Sequence, residues 1–84
     1  MAKPRDVRLA RRAEKGLAAL DQRVRDAPKE AIRELARHPL AGKTLKGELA
    51  GLWSHRVGPF RIVYRVTDVS LDLVDVDHRK DVYR

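Results

Sequence analysis

The chain has 84 residues, enough for one small domain with a single core. It contains no cysteine, which excludes disulfides and thiolate metal sites, and its three histidines, His38, His55 and His78, show no ligand spacing. Lys and Arg number 19 against 12 Asp and Glu, and the resulting charge of +7 favours anionic partners such as nucleic acid or an acidic protein. No apolar run approaches the roughly 18 residues of a membrane span, and the charged start MAKPRDVRLARR is not followed by an apolar signal region. The expectation is a cytoplasmic protein with no membrane contact, no metal and no cofactor, folded as one domain over residues 1–84.

Residues 6–10, DVRLA, alternate, with Val7 and Leu9 facing one way, and predict a short strand. Ala13, Leu17, Leu20 and Val24 then recur at helical spacing, which predicts a helix over 11–20. Asp21 is placed to cap a second helix, on which Val24, Pro28, Ala31, Ile32 and Leu35 form one stripe. Pro28 fits the first turn of a helix, where its missing N–H costs nothing, or the interior of a longer, kinked one. Because the stripe stays in phase across Pro28, a kinked helix over 22–37 is expected, antiparallel to the first and ended by His38-Pro39.

Residues 38–51 read as a loop with Gly42, Gly47 and Gly51, longer than the usual connection. Lys43 and Lys46 lie on it, either as solvated lysines or as contacts to a substrate. A strand over 52–57 follows, then a turn at Gly58-Pro59 and a second strand over 60–67. In that second strand Phe60, Ile62, Tyr64 and Val66 alternate with Arg61, Val63, Arg65 and Thr67, so one face is apolar and the other carries two guanidinium groups. Trp53, His55 and Val57 share one face of the preceding strand, and Ser54 and Arg56 the other. If the apolar faces align, Arg56, Arg61 and Arg65 share the opposite surface. Trp53 and His55 then read as core residues. After a turn at 68–70, Leu71, Leu73, Val74 and Val76 mark a third strand whose alternation breaks between Leu73 and Val74. A bulge or burial on both faces would explain the break. Asp72, Asp75 and Asp77 make this strand acidic, with neighbouring arginines as the expected partners. The order β-α-α-β-β-β predicts an α+β fold, a two-helix hairpin packed on one face of a small, largely antiparallel twisted sheet.

LKGELAGLW, then RVGPFRIVYRV, then HRKDVYR, preceded by VRLARRAEKGLAAL, together resemble the RelE/ParE superfamily of bacterial and archaeal toxins. The resemblance covers nearly the whole chain. It implies a compact α+β toxin and an acidic, RelB-like antitoxin that wraps and inhibits it. RelE-type members cut messenger RNA, typically in the ribosomal A site; ParE-type members inhibit DNA gyrase and lack the nuclease residues. By resemblance to the RelE-type pattern, the arginine after the turn falls on Arg61, the arginine of the HR pair on Arg79 and the late tyrosine on Tyr83. The two outward positions of the preceding strand, often basic, fall on Ser54 and Arg56, and Ser54 departs from that pattern because it carries no charge.

Cutting RNA without a metal needs a base for the 2′-OH proton, cations for the transition state and an acid for the leaving 5′-oxygen. Arg61 suits phosphate binding, since a planar guanidinium holds two oxygens. Arg56 and Arg79 suit neighbouring phosphates or the leaving oxygen. Tyr83 suits the base, a stacking platform or a terminal core anchor. Lys43, Lys46, Ser54, Arg65 and His78 complete the expected substrate-binding set. The expected function is an endoribonuclease acting on messenger RNA and the ribosome. A ParE-like gyrase inhibitor or inactive relative is the alternative, and a small basic RNA-binding module without catalysis a third.

Overall fold

A computed structural model describes residues 4–20 and 26–78, with the backbone only of His78. The elements are β1 (Asp6–Leu9), α1 (Arg11–Ala18), α2 (Asp26–Arg37), β2 (Lys43–Thr44), β3 (Trp53–Val57), β4 (Phe60–Val66) and β5 (Ser70–His78). Two single 3₁₀ turns, Pro39–Ala41 and Gly47–Leu49, flank β2. The strands form one sheet in the order β1-β5-β4-β3-β2. β1 runs parallel to β5, and every other neighbouring pair is antiparallel.

The period-two pattern of β4 is realised as read. Phe60, Ile62 and Tyr64 are buried, while Arg61 and Arg65 are exposed on the other face. Val57 pairs with Phe60 across the two-residue turn Gly58-Pro59. Gly58 has φ +56°, which glycine adopts without steric cost, and the fixed φ of Pro59 suits the second turn position. In β5 the register slips by one residue opposite Val63 and Tyr64, so that Tyr64 pairs with Leu73 and Val63 with Asp75. Val74 is the extra residue of a bulge, which explains the break in alternation. The bulge leaves Leu71, Leu73 and Val76 in the core and Asp72, Asp75 and Asp77 in register with the outward residues of β4.

Both helices cover the same face. Ala13 of α1 and Ile32 and Leu35 of α2 join Ile62, Tyr64, Leu71, Leu73 and Val76 in one core cluster. α1 lies on β5, while α2 touches β1, β3 and β5. α1 comes so close that a Cβ on Gly16 would stand 2.4 Å from the Val76 carbonyl oxygen. Trp53 is half-buried rather than fully enclosed; it packs on the rim of this cluster, stacked on Tyr64 at 6.2 Å between ring centroids.

The described part of α2 runs from Asp26 to Arg37, with Pro28 buried on the same side as Ile32 and Leu35. The Asp21 cap and residues 22–25 of the expected helix lie outside the described residues. One expectation needs correction: the loop over 38–51 is more structured than its glycines suggest, because it contains β2 and both 3₁₀ turns. Among the described residues, no helix is long and apolar enough to cross a membrane.

Candidate functional site: the open face of the sheet

The face away from the helices is organised by strand register. In one row Arg56 of β3 stands directly across from Arg61 of β4, and Arg61 across from Asp77 of β5. In the next row Lys43, Ser54, Val63 and Asp75 follow one another across four strands. Further along β4, Arg65 pairs with Asp72, which has Arg8 of β1 on its other side. In these rows cations stand on β2, β3 and β4 on one side and, as Arg8, on β1 on the other, with the carboxylates Asp72, Asp75 and Asp77 on β5 between them.

The carboxylates are used unequally. The Arg61 guanidinium donates to Asp77 Oδ2 at 3.3 Å, with both side chains partly exposed. Arg12, at the start of α1, meets Asp75 at 3.4 Å. The Asp75 carboxyl is nonetheless pushed up from its ordinary value, because burial and the neighbouring Asp77 charge outweigh the pull of Arg12. Asp72 keeps one buried oxygen, Oδ1, without a hydrogen-bond partner. Among the described residues, Arg56 and Arg65 have no ion-pair partner. Two like charges directly opposite each other, as Arg56 and Arg61 are, cost a sheet stability unless an anion lies between them.

The long loop is pinned to the sheet from the core side. The buried Tyr64 hydroxyl donates to the Pro39 carbonyl at 2.7 Å and accepts the Gly42 N–H at 3.1 Å. Burial pushes the Tyr64 phenol up, and the Gly42 N–H only partly offsets this. A Cβ on Gly42 would stand 2.4 Å from the Tyr64 hydroxyl oxygen, so the backbone here rests directly on the tyrosine.

The structure thus brings Arg56, Arg61, Ser54 and Lys43 together and leaves Arg65 further along the same face. Lys46 is exposed just before the second 3₁₀ turn, outside these rows. His78 pairs with Phe60 through its backbone, and its side chain lies outside the described residues, as do Arg79 and Tyr83 entirely. His55 is half-buried on the helix side, where it lines a groove of about 510 Å³ with Ala31, Glu34 and Arg37 of α2. Sequence reasoning missed the clamp made by Tyr64. The available signal was a phenol in an otherwise aliphatic and aromatic stripe, since a buried hydroxyl needs a partner.

The architecture defines a small α+β protein with two helices on one face of a mostly antiparallel sheet and an arginine-bearing face that the described residues leave open. The family model described as the ParE toxin of type II toxin-antitoxin systems matches residues 7–83. Toxin RelG of Mycobacterium tuberculosis is 41% identical over 96% of this chain and 98% of its own length. A toxin–antitoxin RelBE complex from the same organism contains a chain 38% identical, with a TM-score of 0.85 over 92% of this chain and 100% of that one. An Escherichia coli RelE mutant in its free state shares the fold at a TM-score of 0.75 and 23% identity, over 96% of this chain and 92% of that one. The chain belongs to the ParE toxin family, within the RelE/ParE superfamily of type II toxin–antitoxin toxins.

Proposed function

We propose that this toxin is an endoribonuclease that cuts messenger RNA, in the ribosomal A site, without a metal, and that an acidic RelB-like antitoxin silences it in the cytoplasm. The observation that carries this reading is the Arg56–Arg61 pair on the open face. A phosphodiester between two facing guanidinium groups relieves their repulsion and receives several charge-assisted hydrogen bonds at once. Such fixed cations act on charge as it develops in the transition state, an effect worth about 3–4 kcal/mol per donor in favourable sites.

In this reading a base takes the 2′-OH proton, the 2′-oxygen bonds to phosphorus, and the P–O5′ bond breaks. The leaving oxygen takes a proton, and a 2′,3′-cyclic phosphate remains. Arg61 and Arg56 hold the phosphate. By resemblance, Arg79 counters the leaving oxygen and Tyr83 serves as the base. Each proton transfer contributes roughly 10²- to 10⁴-fold. The complexes that RelE-type relatives form with RelB-type antitoxins support the partner assignment.

The test is primer extension on a translated message, with and without ribosomes, after induced expression. Wild type should cut, while Arg61→Ala and Tyr83→Phe should lose growth arrest and cleavage by about 10²-fold or more and keep their fold. A gyrase-inhibiting toxin is the second reading, favoured by the ParE description of the family model and by the uncharged Ser54. Wild type that cuts no RNA but blocks gyrase supercoiling would establish that reading instead.

A further inference from the structure

The cation array on the open face has a gap at Ser54, one position along β3 from Arg56 on the same face. Ser54 is small and only half-buried. Its partner across the β2–β3 ladder is Lys43. Directly opposite residues hold their Cβ atoms about 4.5–5.5 Å apart, and diagonal ones about 7–8 Å. Lys43 therefore sits beside Ser54 and diagonal to Arg56. A lysine carries its charge on a flexible four-carbon stem, so its ammonium can extend over the short serine side chain to the edge of the Arg56–Arg61 pair.

Two observations separate Lys43 from an ordinary loop lysine. It has no ion-pair partner among the described residues, and Asp72, Asp75 and Asp77 stand on β5, with β3 and β4 between them and β2. Its backbone is also fixed. The residue before it, Gly42, donates to the Tyr64 hydroxyl, and that same hydroxyl donates to Pro39. Tyr64 is fully buried and stacked on Trp53, which in turn pairs with Thr44, the residue after Lys43. A two-residue strand has little stability of its own. The clamp from the core holds it in register and sets where Lys43 emerges.

We propose that Lys43 is a phosphate-contacting cation of the open face, supplying the charge that Ser54 lacks, and that Tyr64 is a positioning residue that holds Lys43 in place. The proposal rests on the RNA reading above. RNA lying across the face meets Lys43, Arg56 and Arg61 as one array, and the Lys43 contact adds affinity for any sequence because it reads only the backbone.

The test is binding of a 2′-O-methylated single-stranded RNA oligonucleotide, which cannot be cut, across a range of salt. Lys43→Ala should weaken binding about fivefold and lower the salt slope by about 0.7, the share of one phosphate contact on a single strand. Lys43→Arg should bind as wild type does. The decisive variant is Lys43→Ala with Ser54→Lys, which moves the charge one strand inward and should recover binding; no structural role of Lys43 could be rescued this way. Tyr64→Phe should shift binding in the same direction as Lys43→Ala while still melting cooperatively. Unchanged affinity and slope in Lys43→Ala, or no recovery on adding Ser54→Lys, would overturn the proposal. Arg61→Ala separates the two levels. If it weakens RNA binding and Lys43→Ala does not, this inference alone falls. If neither affects binding, or wild type binds no RNA, the RNA reading falls and this inference with it.

Discussion

At the scale of single residues, Gly16 shows how packing reverses a propensity. Within a helix such as α1, glycine is normally the weak choice, and replacing it with alanine stabilises by up to about 1 kcal/mol. Here the added Cβ would stand 2.4 Å from the Val76 carbonyl oxygen, which belongs to backbone and cannot swing away. The helix would have to lift from β5, opening the contact around Ala13 that anchors α1 to the core. Overpacking of this kind costs about 1–3 kcal/mol, more than the propensity gain. Gly16→Ala should therefore lower stability in urea unfolding by about 1–2 kcal/mol. A variant as stable as wild type would show that α1 can ride further from the sheet. The helical spacing of Ala13, Leu17 and Leu20 gives no sign that position 16 needs a glycine. Its reason lies 60 residues away on β5, a relation that spacing along the chain does not carry.

At the scale of elements, β5 shows which parts of the fold were legible. β4 could be read outright, because seven residues of strict alternation assign both faces without knowledge of a partner. β5 could be read only as far as the break at Leu73 and Val74. Its faces become defined once the register against β4 shows that Val74 is the extra residue. β2 was illegible, since Lys43 and Thr44 have no pattern of their own and owe their strand to β3 and to the Tyr64 clamp. The acidic face of β5 carries a pH prediction. Asp75 has its carboxyl pushed up by burial and by Asp77, despite Arg12. A carboxyl that is harder to ionise in the folded state favours folding when protonated. That contribution is fully present below the unfolded value near 3.9 and is lost as pH rises through the folded value. At neutral pH the ionised Asp75 is thus a net cost. Asp75→Asn should melt at least as high as wild type at pH 7, and wild type should gain on it as pH falls through the carboxylate range. A clear loss of melting temperature in Asp75→Asn at pH 7 would show that the Arg12 pair outweighs burial.

At the scale of the whole molecule, the +7 charge matters less than its distribution. The fold gathers Lys43, Arg56, Arg61 and Arg65 on three adjacent strands and sets Asp72, Asp75 and Asp77 on the fourth. A uniformly basic surface of this size would hold any polyanion, whereas here one of the two facing arginines is already occupied from within. Arg61 reaches Asp77, and a phosphate arriving at Arg61 must displace or tolerate that carboxylate. The ion pair is partly exposed, with the arginine and aspartate side chains at 48% and 33%, so it adds little to folding. Its effect falls instead on whatever anion binds. Asp77→Asn should leave the melting temperature nearly unchanged and tighten binding of single-stranded RNA by about threefold to tenfold at low salt. The gain should fade as salt rises and exposed charges are screened. The same substitution in an Arg61→Ala background should bring almost no gain, because the carboxylate then has no guanidinium to occupy. An equal gain in both backgrounds would mean that Asp77 acts only through net charge. A loss of binding in Asp77→Asn alone would mean that the carboxylate holds Arg61 in its binding geometry rather than competing for it.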